Sequence, residues 1–113
     1  TKYNLKNCYF DESNSEYRKA ALAAIDKIIA EGGNPVFEVN TGAMYRVGKT
    51  QPYPAPFIME HLKKCNARIT ITSDSHCCDS LDFAFDKAED YCRSFGFTKK
   101  LIFTASGLIE TDL

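Results

Sequence analysis

The sequence predicts an α/β fold: a parallel βαβαβ unit with a preceding helix. Three observations carry that expectation. Apolar residues recur at helical spacing in three segments, a short β-rich run follows each segment, and glycines or polar caps mark the boundaries. Strands that alternate with helices pair in parallel through right-handed crossovers.

The first helix covers Ser15 to Glu31, with Tyr17, Ala21, Ala24, Ile25 and Ile28 on one face. Ser13, Asn14 or Ser15 can cap its start, and Gly32-Gly33 ends it. Pro35-Val36-Phe37-Glu38-Val39-Asn40 reads as the first strand. Thr41 to Pro54 contains Gly42, Gly48, Pro52 and Pro54, shows no periodicity, and is expected to be a long loop of the kind often tied to function. The second helix runs from Ala55 to Asn66 and buries Phe57, Ile58, Leu62 and Cys65. Arg68 to Ser73 is rich in β-branched residues and forms the second strand. A polar loop, Asp74 to Asp79, leads to Ser80 as an N-cap. The third helix covers Leu81 to Phe95, with Leu81, Ala84, Phe85, Ala88, Tyr91, Cys92 and Phe95 inward, and Gly96 closes it. Leu101 to Thr104 is the third strand.

The chain has 113 residues, 44% hydrophobic and 26% charged, which fits one domain or part of one. Its net charge of −1 lacks the basic footprint of a general nucleic-acid binder. No apolar run approaches the ~20 residues that span a bilayer, and no segment resembles a signal peptide, so a cytoplasmic protein without a membrane partner is expected. The five cysteines (Cys8, Cys65, Cys77, Cys78 and Cys92) form an odd set without C-x-x-C spacing, which favours reduced thiols over a disulfide framework. The adjacent pair Cys77-Cys78 stands beside His76, but neighbouring residues rarely ligate one ion together. Small, half-buried packing is the expectation for both.

In parallel α/β folds the reactive residues gather where strands end. That rule selects Glu38-Val39-Asn40-Thr41 and Ser73-Asp74-Ser75-His76. If the chain stays extended, period-two alternation puts Asp74 and His76 on one side, where carboxylate and imidazole suit Zn²⁺, Mn²⁺ or Fe²⁺. On spacing alone, Asp74 capping a turn and His76 exposed in a loop fit equally well. Glu38 and Asn40 share a face, Glu38 as a candidate ligand and Asn40 as a polar active-site group or a strand-stopping side chain. Arg46 in the loop is solvated, or forks onto phosphate oxygens beside an anion site. His61, inside the second helix, reads as a surface imidazole. The common nucleotide-binding and serine-hydrolase signatures are absent.

Glu38-Val39-Asn40-Thr41-Gly42, then Arg46, then Pro52-Tyr53-Pro54, then Thr72-Ser73-Asp74-Ser75-His76 and Phe95-Gly96-Phe97 follow one another in an order that resembles histidinol-phosphatases of the PHP (polymerase and histidinol phosphatase) superfamily. The opening Lys2-Tyr3-Asn4 resembles the stretch after that family's third metal-binding motif. The resemblance covers essentially the whole chain but only the C-terminal part of the family domain. It implies part of a distorted (β/α)₇ barrel carrying up to three divalent ions (Zn, Mn or Fe). By the same resemblance Asp74 and His76 are metal ligands and Arg46 contacts the substrate phosphate. The implied activity is hydrolysis of L-histidinol phosphate to L-histidinol and phosphate in histidine biosynthesis.

The family's H-x-H pair and its intermediate Glu and His ligands have no counterpart, since His61 and His76 are the only histidines. The chain also starts at Thr1, and three parallel strands alone would leave bare edges and an uncovered face. Residues 1–113 are therefore expected to be the C-terminal portion of a PHP domain, nearly inert alone and open to self-association. Two alternatives stand beside this: a PHP phosphoesterase with another small phosphorylated substrate, and a non-catalytic fragment acting as a binding or assembly module.

Overall fold

The computed structural model describes Asn4 and residues 9–113. The expectations for Lys2-Tyr3 and for Cys8 lie outside the described residues. Helix α1 spans Ser15–Glu31 as the periodicity requires. Asn14 is its cap, the side-chain oxygen accepting from the amides of Glu16 at 2.8 Å and Tyr17 at 3.3 Å. Gly32 ends it by donating to the Ile28 carbonyl, which a Cβ on Gly32 would approach to 2.4 Å. Only glycine fits there.

Strand β1 is Val36–Asn40, helix α2 is Gly42–Val47, helix α3 is Pro56–Lys64 and strand β2 is Arg68–Thr72. Helix α4 is Phe85–Ser94, and strands β3 and β4 are Lys99–Thr104 and Gly107–Asp112. The sheet order is β1-β2-β3-β4, parallel except that β4 runs antiparallel to β3. The mixed α/β architecture agrees with the sequence, and β4 changes the expected all-parallel sheet. The two-residue connection Ala105-Ser106 turns β3 directly back on itself, so one edge carries an antiparallel strand.

Two further expectations need correcting. The supposed loop Thr41–Pro54 contains α2, which is too short to show helical periodicity. The expected helix Leu81–Phe95 starts four residues later, because Cys78–Ser80 forms a 3-10 turn and Ala84 takes a left-handed φ of 58°. Leu81 is consequently 65% exposed instead of inward. On α1, Ile28 is also exposed, whereas Leu22 and Ile29 pack against the core around Ile25.

The register Val36↔Arg68 to Asn40↔Thr72 puts Phe37, Val39, Ile69 and Ile71 on one face of the sheet. There they meet Ile25 from α1, Met59 and Leu62 from α3, and Ala88, Tyr91 and Cys92 from α4. The opposite face presents Glu38, Asn40, Thr70 and Thr72 and, across Thr70↔Leu101, Leu101 and Phe103. Phe103 is 74% exposed. Among the described residues no helix is long and apolar enough to cross a membrane.

Candidate active site at the strand ends

The polar face and the ends of β1 and β2 meet at a cavity of about 260 Å³ walled by Glu38, Asn40, Ala43, Arg46, Val47, Tyr53, Pro54 and Asp74. Asn40 closes β1 and starts α2, its side-chain oxygen accepting from the Gly42 amide at 2.8 Å. The Asn40 backbone also exchanges hydrogen bonds with Tyr53 (2.9 and 3.0 Å), which fixes the Pro52-Tyr53-Pro54 segment against the strand end. Glu38 stands on the same face as Asn40 and accepts a hydrogen bond from the Thr72 hydroxyl across the strands.

Helix α2 delivers Arg46 to the end of β2. Arg46 Nη1 donates to the Asp74 carbonyl at 2.7 Å, and Nη2 to Asp74 Oδ2 at 2.8 Å. The guanidinium lies so close to Gly42 that a Cβ there would sit 2.5 Å from Nη2 and 2.6 Å from the Ser73 carbonyl. Gly42 is thus the residue that lets α2 dock on the end of β2. Arg46 belongs to a helix, not to a loop, and its fork already grips Asp74.

Asp74 and His76 do lie just beyond the C-terminal end of β2, with Asp74 Oδ1 3.7 Å from His76 Nε2. The reason differs from the expected one. The chain is not extended there: Asp74 has a φ of 47°, a left-handed turn that brings the two side chains together. Asp74 and Asn40 line one cavity. His76 stands outside its wall, with its ring 74% exposed.

Tyr53, which neither spacing nor the strand-end rule singles out, completes the wall, and its hydroxyl is buried without a hydrogen-bond partner among the described residues. Its place between two prolines was the available signal. Cys77 and Cys78 are both exposed, correcting the half-buried packing expected of them. The hydroxyls of Ser80 (3.3 Å) and Tyr45 (3.6 Å) hold the Cys77 thiol below its ordinary pKa, Ser80 foremost. His61 is also corrected: it is half-buried, with Nε2 2.6 Å from Asp26 Oδ1. Compared with protein-family models and with curated proteins, the sequence matches none.

Proposed function

We propose that this chain forms the C-terminal, substrate-holding part of a PHP-type metal-dependent phosphomonoesterase acting on L-histidinol phosphate. One observation supports the reading above others: Arg46, Asp74 and His76 converge beyond the end of β2, beside a cavity also walled by Asn40 and Glu38. A carboxylate oxygen and an imidazole nitrogen 3.7 Å apart suit two positions on one Zn, Mn or Fe ion. Among the described residues no third His, Cys, Asp or Glu donor joins them, so the remaining ligands belong to other parts of the complete domain. Such ions, when bound, activate water and neutralise charge on the transferring phosphoryl group.

The residues of this chain have separate tasks. Arg46 orients Asp74 and keeps three of its five N–H groups for phosphate oxygens. Asn40 shapes the floor through its bond to Gly42, and Tyr53 forms part of the wall beside it. Glu38, bonded to Thr72, supports the wall and does not join Asp74 and His76 as a third donor.

The test assays the complete domain with histidinol phosphate and other phosphomonoesters in the presence of Zn²⁺ or Mn²⁺. Preferential turnover of histidinol phosphate supports the reading. Preference for another ester selects a different substrate within the same chemistry, and absence of phosphatase activity rejects it. A non-catalytic assembly module is favoured by a different observation, the exposed Ile102, Phe103, Leu108 and Ile109 of the β3–β4 hairpin.

A further inference from the structure

Three donor atoms from two helices converge at the other end of β2. His61 and Cys65 stand one turn apart at the end of α3, so their side chains lie one above the other, and Asp26 reaches them from α1. His61 Nε2 is 2.6 Å from Asp26 Oδ1 and 3.7 Å from Cys65 Sγ, and Cys65 Sγ is 4.0 Å from Asp26 Oδ1. A single ring nitrogen therefore faces both the carboxylate and the thiol. A Cys–His–Asp nucleophilic relay needs its two partners on opposite ring nitrogens, which this arrangement does not provide.

The set matches what zinc accepts from protein side chains. With Zn–S of ~2.3 Å and Zn–N or Zn–O of ~2.0–2.1 Å, tetrahedral donors sit roughly 3.3–3.6 Å apart. The thiol and imidazole are already near that spacing. The carboxylate must withdraw from the imidazole by about 0.7 Å, and the thiol must draw towards it by about 0.4 Å. Asp26 is exposed and free to make that shift, while His61 and Cys65 are half-buried and held by the helix.

We propose that Asp26, His61 and Cys65 form a zinc site that clamps α1 to α3, with solvent as the fourth ligand. On binding, Cys65 gives its proton to solvent as it becomes a thiolate. The ring proton that Nε2 directs at Asp26 moves through solvent to Nδ1, which leaves Nε2 bare for the metal, so zinc uptake releases the one thiol proton. The five residues of β2, roughly 16 Å of strand, separate this site from Asp74 and His76. The clamp does not depend on the phosphatase reading.

The test titrates the chain with cobalt(II) as a spectroscopic stand-in for zinc. A thiolate-to-cobalt charge-transfer band should appear and be displaced by zinc. Cys65→Ser should abolish the band, and His61→Ala should weaken cobalt binding tenfold or more. Asp74→Asn combined with His76→Ala should leave band and affinity unchanged. Zinc should also slow alkylation of Cys65 in the unmodified chain by tenfold or more, a readout that needs no variant. Absence of the band, its survival in Cys65→Ser, or unaltered alkylation of Cys65 overturns the clamp. Cobalt bound only through Asp74 and His76 overturns it too, while leaving the proposed function standing.

Discussion

Arg46 and the residues it touches offer the sharpest tests at the scale of single side chains. A charge-assisted fork is worth on the order of 1.5–3 kcal/mol, so Arg46→Ala should weaken phosphate-ester binding ~10-fold or more, measured by calorimetry or turnover in the complete domain. Arg46→Lys should not restore it, because one ammonium cannot serve both the Asp74 carbonyl and its carboxylate while also facing a ligand. Gly42→Ala should lower stability by about 1–3 kcal/mol, since the new Cβ meets the Ser73 carbonyl at 2.6 Å, and should loosen Arg46 with it. Tyr53→Phe removes a buried hydroxyl that has no partner among the described residues, so thermal stability should stay unchanged or rise, as melting curves would show. At this scale the position of Asp74 and His76 just beyond the end of β2 was legible in the sequence. The left-handed turn at Asp74 that brings them together was not, because a backbone angle of that kind leaves no periodic signal in sequence.

Elements were legible where length or β-branched composition marks them. Helix α1 has enough turns for its capping asparagine and terminal glycine to stand out, and β1 and β2 carry dense β-branched runs. Helix α2 escaped because its buried face consists of Gly42, Ala43 and Met44, less than two turns of pattern. Strand β4 escaped because its residues are almost all exposed and show no alternation of apolar and polar faces. Helix α4 and strand β3 are joined by an acid-sensitive contact. Lys100 bonds Glu89 and, with Arg93 at 2.9 Å, holds its carboxyl below the usual glutamate range. A carboxyl lowered on folding contributes stability that is present above its unfolded pKa and lost as pH falls through the folded value. Glu89→Gln should therefore lower the melting temperature at pH 7, and the difference from the unmodified chain should vanish in strong acid. Melting curves at both pH values check this. Tyr91 and Cys92 lie on the same helix, with burial pushing their pKa values up to about 12 and about 11. Cys92 should consequently resist alkylation in the native chain while exposed Cys77 and Cys78 react, as mass spectrometry of the modified protein would show.

For the molecule as a whole, the helices cover one face of the sheet, while the other buries Thr70 and Leu101 but leaves Phe103 exposed. Phe103 and Leu108 pair across β3 and β4 with little shelter, and among the described residues no strand pairs with the outer edge of β4. Phe103→Glu should reduce self-association of the chain, with the sedimentation coefficient at high concentration as the readout. Under the proposed function, the 113-residue chain by itself should turn over histidinol phosphate only slowly, because Asp74 and His76 supply two donors where a catalytic zinc site takes three. Rapid turnover would mean that the described wall suffices. The backbone exchange between Asn40 and Tyr53 has a further consequence. Asn40 donates to Tyr53 at 2.9 Å on one side, while the next amide, Thr41, donates to Thr72 at 2.9 Å on the other. The strand is thus tied on both flanks where it enters the cavity, whereas its starting half pairs, among the described residues, with β2 alone. In deuterium labelling the amides of Asn40 and Thr41 should exchange more slowly than that of Val36, with or without phosphate present. The floor on which a ligand settles is then already rigid, and binding need not order it.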